Sequence, residues 1–191
     1  MTQRLLLIDR DGTIIKEPPT DFQVDSIEKL EFVEGAIESL SDIYRSGLFQ
    51  FVMVTNQDGL GTDSFPEETF WPAHNLMMQR LTDAGIVFKD VLIDRSFPSD
   101  NAPTRKPQTG LLKAYMTPEY DFKHSVVIGD RITDLQLAVN LGSKAILIHN
   151  PVHGLPDAKT IEEAGCAEVL LKSCLTWDQI QDILLTSEAR D

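Results

Sequence analysis

The residues able to do chemistry stand in four short groups. Asp9-Arg10-Asp11-Gly12-Thr13 follows the apolar run Leu5–Ile8, and Thr55-Asn56-Gln57-Asp58-Gly59 follows a second apolar run. Arg105-Lys106-Pro107 closes a long loop after a third run, and Gly129-Asp130 follows a fourth, with Asp134 four residues on. Asp9, Asp11 and Asp130 are hard oxygen donors, suited to Mg²⁺ rather than to zinc or copper. A carboxylate can attack phosphorus and become an aspartyl-phosphate, the role that Asp9 would take. Asp11 could then give a proton to the leaving oxygen and take one from an attacking water. Lys106 offers a positive charge to phosphate oxygens, and the Thr55 hydroxyl offers a neutral donor. Without a cation, two anions about 4 Å apart repel by roughly 4 kcal/mol at an effective dielectric constant of about 20, so the scheme needs the metal.

The elements that must position these groups are legible as alternating patterns. Residues 4–8, 50–54, 87–93, 125–129 and 144–148 are brief, rich in Val, Ile and Leu, and bounded by polar residues. They read as strands buried on both faces. Residues 34–46, 66–84, 133–141 and 176–185 carry apolar side chains at helical spacing, the first three stopping at Gly47, Gly85 and Gly142. Strand and helix in alternation predict an α/β fold: a Rossmann-like parallel sheet with helices on both faces and no large cap domain. In such a sheet, ligands bind beyond the carboxyl ends of the strands, where all four polar groups fall.

Two stretches break the rhythm. Residues 13–30 hold Pro18-Pro19 and little helical period, and residues 94–105 hold two prolines. Both read as lids or specificity loops, or as solvated surface insertions. Two other patterns carry no chemistry. Asp58-Gly59-Leu60-Gly61 lacks the Gly-Lys-Ser/Thr ending of a phosphate loop and reads as a turn. His149 and His153 are four apart, but Pro151 between them prevents the helix that would align them on a metal.

Composition bounds the rest. A chain of 191 residues, 42% hydrophobic and 25% charged, fits one domain spanning residues 1–191 with its own core. The formal net charge of −13 argues against nucleic acid and anionic membranes as partners. No apolar run is long enough for a signal core or a membrane span, and two cysteines, Cys166 and Cys174, make no metal or disulfide framework. The expected setting is cytoplasmic, and the expected partner is a small-molecule phosphate monoester. Oligomeric state is not encoded in these features.

Each motif alone is weak, since Asp-x-Asp-Gly is commonly a turn and Gly-Asp before a helix commonly a cap. Together, in this order and each at a strand end, they resemble the haloacid dehalogenase-type phosphatase superfamily. The stretches from Ile8 to Asp25, Val54 to Pro66 and Pro72 to Gln79, with Arg105-Lys106-Pro107 and Ile128 to Asp134, resemble histidinol-phosphate phosphatases. The likeness is strongest to the phosphatase half of bifunctional members. It implies Asp9 as nucleophile and Asp11 as general acid/base. It also implies Mg²⁺ held by Asp9, the Asp11 backbone carbonyl and Asp130, with Thr55 and Lys106 on the phosphate. Asp134 would support Lys106 or the metal shell. Many relatives carry a zinc-binding Cys/His cluster before Arg-Lys-Pro; Asp94, Ser96, Ala102 and Thr104 stand there here, so no zinc is expected. The chain ends at Asp191, which limits the resemblance to the phosphatase activity.

The implied substrate is L-histidinol phosphate, in histidine biosynthesis, with Glu17, Asn56, Gln57 and Arg105 as candidates to recognise it. A sugar bisphosphate such as heptose 1,7-bisphosphate is the alternative substrate. A signalling receiver domain is the alternative of another class. Receivers, however, put an adjacent acidic pair after the first strand and the phosphorylated Asp after the third, where this chain has Lys106.

Overall fold

Alternate residues of β1 (Leu5–Ile8) point to opposite sides of the sheet, and none of them touches water. Leu6 and Ile8 enter one apolar core while Leu5 and Leu7 enter another. A strand buried on both faces needs helices on both sides, which is why its sequence is continuously apolar. The computed structural model describes residues 2–186.

Six parallel strands lie in the order β3-β2-β1-β4-β5-β6. The others are β2 (Gln50–Asn56), β3 (Phe88–Asp94), β4 (Val126–Gly129), β5 (Lys144–Ile148) and β6 (Leu170–Cys174). Helices α1 (Ala36–Arg45), α2 (Glu67–Asp83) and α5 (Trp177–Leu185) pack Leu40, Met77 and Trp177 into the core that holds Leu6 and Ile8. Helices α3 (Ile132–Leu141) and α4 (Ala158–Glu163) pack Leu135 and Ile161 into the other. The chain leaves β1 towards β2 on one side and reaches β4 on the other, so the connections part between β1 and β4 and open a crevice at the strand ends.

The expected α/β architecture holds, with two corrections. Strand β3 is not buried on both faces: it is an edge strand, and Lys89 and Asp90 are exposed. Between the expected strand at 144–148 and the expected helix at 176–185 the apolar pattern marks no element, yet α4 and β6 lie there. Strand β6, the other edge, is half exposed, and its Lys172 and Ser173 dilute the apolar pattern that marks the central strands. No helix among the described residues is long and apolar enough to cross a membrane.

Candidate active site

Three of the four polar groups line a cavity of about 750 Å³ at the carboxyl end of the sheet, and Asp130 and Asp134 of the fourth lie buried beside Asp9 and Lys106. Asp9 leaves the end of β1, Thr55 lies at the end of β2, Asp130 follows β4, and Asp134 sits in the first turn of α3. Lys106 arrives from the loop after β3, and its backbone is held on both sides by one side chain. Asn56 Oδ1 accepts from Lys106 N at 3.0 Å, and Asn56 Nδ2 donates to the Lys106 carbonyl at 3.2 Å. Two glycines make the approach possible. Gly12 has φ +73°, and a Cβ there would lie 2.4 Å from Asp130 Oδ2; a Cβ on Gly129 would lie 2.1 Å from Asp134 Cγ.

Lys106 Nζ bridges two buried carboxylates, 2.8 Å from Asp9 Oδ1 and 2.7 Å from Asp134 Oδ1. Asp134 Oδ2 also accepts from Arg131 N at 3.1 Å, which ties the start of α3 to the lysine. Burial alone would push the Lys106 pKa down, but Asp134 and Asp9 outweigh it and hold it above the ordinary lysine value. Asp9 is raised by burial, opposed by Lys106 and reinforced by Asp134. Asp130 is raised further, by burial and then by Asp9 and Asp134, with Asn150 and Arg131 pulling the other way. Lys106, with the half-exposed Arg131 whose Nε lies 3.8 Å from Asp130 Oδ2, does not balance three carboxylates.

That imbalance is a test of whether a cation fits. Asp9, Asp130 and Asp134 offer oxygens that all lie within 4.8 Å of one another. Asp130 Oδ1 is buried and has no partner, while its Oδ2 accepts from Asn150 Nδ2 at 2.7 Å. Asp134 is taken up by Lys106, so Asp9 and Asp130 are the pair left for a metal. An all-oxygen donor set with one orphaned, buried carboxylate oxygen fits Mg²⁺. The Asp11 side chain lies outside this cluster. Its Oδ1 accepts from Arg10 Nη1 at 2.7 Å and its Oδ2 from Gln57 Nε2 at 2.6 Å. Gln57 Nε2 also reaches Thr55 Oγ1 at 2.8 Å, so the Thr55 hydroxyl accepts there and keeps its own proton free to donate.

The rim of the cavity is built by the two irregular stretches. Residues 13–30 bury Ile14, Ile15 and Val24 and bring Glu17, Asp21, Phe22 and Gln23 to the cavity; residues 94–105 bring Pro98, Asn101, Ala102 and Arg105. Neither is a solvated insertion. Where the resemblance would put a Cys/His cluster, the second stretch is braced by oxygen atoms. Asp94 Oδ1 accepts from Ser96 N at 2.9 Å and from Ser96 Oγ at 2.5 Å, and Asp94 Oδ2 accepts from Thr104 Oγ1 at 2.5 Å. Ala102 stands at the cavity wall. Arg105 is fixed to Asp58 at 2.6 and 3.2 Å and to the Ser96 carbonyl at 2.8 Å. The turn at Gly59, with φ +72°, is therefore the seat of Arg105's partner rather than a phosphate loop.

Glu17 lies at the rim, but its carboxylate is already engaged. Arg131 Nη2 donates to Oε1 at 2.5 Å; His153 Nε2 lies 2.7 Å and Asn150 Nδ2 3.2 Å from Oε2. His153 in turn stacks on Phe22, with centroids 5.5 Å apart and planes at 29°. His153 thus lines the site singly, without His149. The sequence pattern does not mark Arg131, Asn150 or His153 as site residues. Arg131 directly follows Asp130, and Asn150 stands two residues beyond β5, so the strand-end rule, extended from the first four strands to the fifth, reaches Asn150.

A family model described as HAD-hydrolase-like matches residues 103–172. The histidine biosynthesis bifunctional protein HisB of Bacteroides fragilis is 50% identical over 191 residues, which is all of this chain and 50% of that protein. The HisB of Spirosoma linguale is 49% identical over 186 residues, covering 95% of this chain and 48% of its own length. The chain spans about half the length of the curated relatives it matches. Among solved structures, D,D-heptose 1,7-bisphosphate phosphatase from B. bronchiseptica, complexed with magnesium and phosphate, superposes with a TM-score of 0.78 at 24% identity. That superposition covers 96% of this chain and 98% of the other.

Proposed function

We propose that this chain, which matches a HAD-hydrolase-like family model over residues 103–172 and is 50% identical along its whole length to half of the Bacteroides fragilis relative, is a Mg²⁺-dependent phosphomonoesterase acting on L-histidinol phosphate. The observation that carries the reading is the buried group of Asp9, Lys106 and Asp134 beside the orphaned oxygen of Asp130, at the crevice between β1 and β4. When bound by Asp9 and Asp130, with the Asp11 backbone carbonyl as a further donor, Mg²⁺ supplies positive charge that keeps both carboxylates ionised and offsets the charge of the phosphate.

Asp9 Oδ1 is occupied by Lys106 Nζ and by Arg10 N at 2.8 Å, which leaves Oδ2 for attack. Attack forms a bond from that oxygen to phosphorus, the ester P–O bond breaks, and Asp11 gives its proton to the departing alcohol oxygen. Water then attacks the phosphorus of the aspartyl-phosphate, Asp11 takes the water proton, and Asp9 is regenerated. Lys106 and the free Thr55 proton hold the phosphoryl oxygens, so that charge developing in flight meets fixed donors. Asp134 positions Lys106, and Asn56 braces the Lys106 backbone opposite Thr55.

At the rim, Glu17, Arg131 and His153 with the Phe22 ring form a polar and aromatic wall for the amino and imidazole groups of the substrate. Gln57 and Arg105 shape the opposite side. Such an enzyme works in the reducing cytoplasm, where buried Cys166 and Cys174 remain thiols. The test is phosphate release from L-histidinol phosphate and from a heptose 1,7-bisphosphate at matched concentration, with Mg²⁺ and with EDTA. The proposal expects release from the first, abolished by EDTA and restored by Mg²⁺. Preference for the sugar bisphosphate would overturn the substrate, and EDTA-resistant turnover would overturn the metal.

A further inference from the structure

Between the two aspartates stands a cation that the proposed reaction does not use. The Arg10 side chain is fully buried, and its guanidinium carbon lies 4.9 Å from the centroid of the Phe70 ring. Nη1 pairs with Asp11 Oδ1 at 2.7 Å, while Nε and Nη2 are buried with no partner. An ion taken out of water costs several kcal/mol, and N–H groups left unpaired add to that cost. An apolar side chain of similar volume would fill the space without either cost. What only a cation with a fixed fork supplies here is a grip on Asp11.

We propose that Arg10 is a positioning residue: packed on Phe70 and bonded to Asp11 Oδ1, it holds the Asp11 carboxylate in line with the scissile ester oxygen. The inference rests on the proposed roles of Asp9 and Asp11. Three elements build the grip. Arg10 follows β1, Phe70 comes from α2, and Gln57, just past the end of β2, closes on the other oxygen, Oδ2, at 2.6 Å. Each Asp11 oxygen therefore has one donor, and the plane of the carboxylate is set. The two donors differ in kind. The guanidinium is charged and locked by its ring contact, whereas Gln57 is a neutral amide that also serves Thr55. Oδ2 is accordingly the oxygen that exchanges its partner for the substrate and carries the proton across, while Oδ1 stays anchored.

Behind Phe70, His74 stacks on the ring with centroids 5.0 Å apart and planes at 21°. Burial, and then Arg10, push its pKa down to about 4, so it remains neutral and puts no second cation against Phe70. The stack Arg10–Phe70–His74 is thus a rigid wall with its one charge facing Asp11.

The experiment measures single-turnover release of the alcohol from two esters, L-histidinol phosphate and 4-nitrophenyl phosphate. The nitrophenolate leaves without needing a proton, so a defect in proton donation shows only on the first. Arg10→Met should slow release from the alkyl ester roughly 10- to 100-fold, with KM within about twofold, and release from the aryl ester less than about threefold. Arg10→Lys should recover part of the loss. Combined with Asp11→Asn, Arg10→Met should add almost nothing to the loss from Asp11→Asn alone, because both act through one carboxylate. Phe70→Leu, which keeps the charge and removes only the ring face, should show the same bias at smaller size, and it decides the matter if Arg10→Met does not fold. Equal losses on both esters, or losses that multiply in the double variant, would overturn the positioning role. No release of alcohol from either ester by the unaltered protein would instead overturn the functional reading beneath it.

Discussion

The two ends of the cavity are built differently. At the inner end, Asp9, Thr55, Lys106, Asp130 and Asp134 are all buried, four of them at or just beyond strand ends or in the first turn of a helix. At the rim, Arg131 is 46% exposed and Phe22 47% exposed, and the bonds that hold Glu17 come from residues 114, 133 and 136 positions away. The inner end is fixed by the sheet and tolerates little change. The rim is fixed by loop-to-loop contacts and can vary without disturbing the chemistry. Chemistry and specificity are in this way carried by separate parts of one cavity.

The largest break in that contrast should come from Lys106→Met. It leaves Asp9 and Asp134 facing each other without a cation, a loss of about 3–5 kcal/mol of stability for a buried pair deprived of one partner. Chemical denaturation at pH 8 would measure it, with activity lost in parallel. Unaltered stability would mean that the lysine does not offset the repulsion between the two carboxylates.

The effect of pH comes next. In the metal-free protein Asp9 is raised to about 6 and Asp130 to about 8, from an ordinary value of 3.8. The folded state thus keeps protons that the unfolded chain has already released, so unfolding gives up protons and stability falls as pH rises from about 4 to 8. His74, lowered from 6.5 to about 4, acts in the opposite sense: its contribution is lost as pH falls through that window. Above pH 6.5 Asp9 and His74 have released their protons in both states, and up to about pH 8 the fall is carried by Asp130. Melting temperature without metal should fall across that interval, and the gain on adding Mg²⁺ should grow, since the ion needs both carboxylates deprotonated. A Mg²⁺ effect independent of pH would count against Asp9 and Asp130 as its ligands.

At the rim the expected effect is smaller and of another kind. Arg131→Met frees Glu17 from its guanidinium partner but leaves His153 and Asn150 in place. KM for L-histidinol phosphate should rise about 5- to 20-fold with kcat within about twofold, the signature of binding lost equally from ground and transition states. A fall in kcat alone would erase the separation between rim and inner end.

The same contrast explains what is legible in the sequence. The inner residues follow continuous apolar runs, so a rule about strand ends reaches them one segment at a time, and the parallel sheet then brings Asp9, Thr55 and Lys106 to one cavity with Asp130 beside Asp9. The rim obeys no local rule. Glu17 can be suspected as an acid on a loop, but nothing near it in the chain announces Arg131 or His153, because their meeting depends on how two loops cross in space. Arg10 is hidden for a different reason: an arginine between two acids reads as a solvated neighbour until its burial is known. Strand β6 escapes because an edge strand is half exposed and loses the apolar run that marks β1 and β4.

The claim that the rest depends on is that Asp9 is esterified by phosphate during turnover. Mass spectrometry of peptides from the protein, acid-quenched within the first turnover on L-histidinol phosphate with Mg²⁺, tests it directly. The account predicts a phosphorylated peptide containing Asp9, absent from Asp9→Asn and absent when EDTA replaces the metal. An unmodified Asp9 peptide at every time point while phosphate is being released, or an Asp9→Asn protein that turns over at the normal rate, would contradict it.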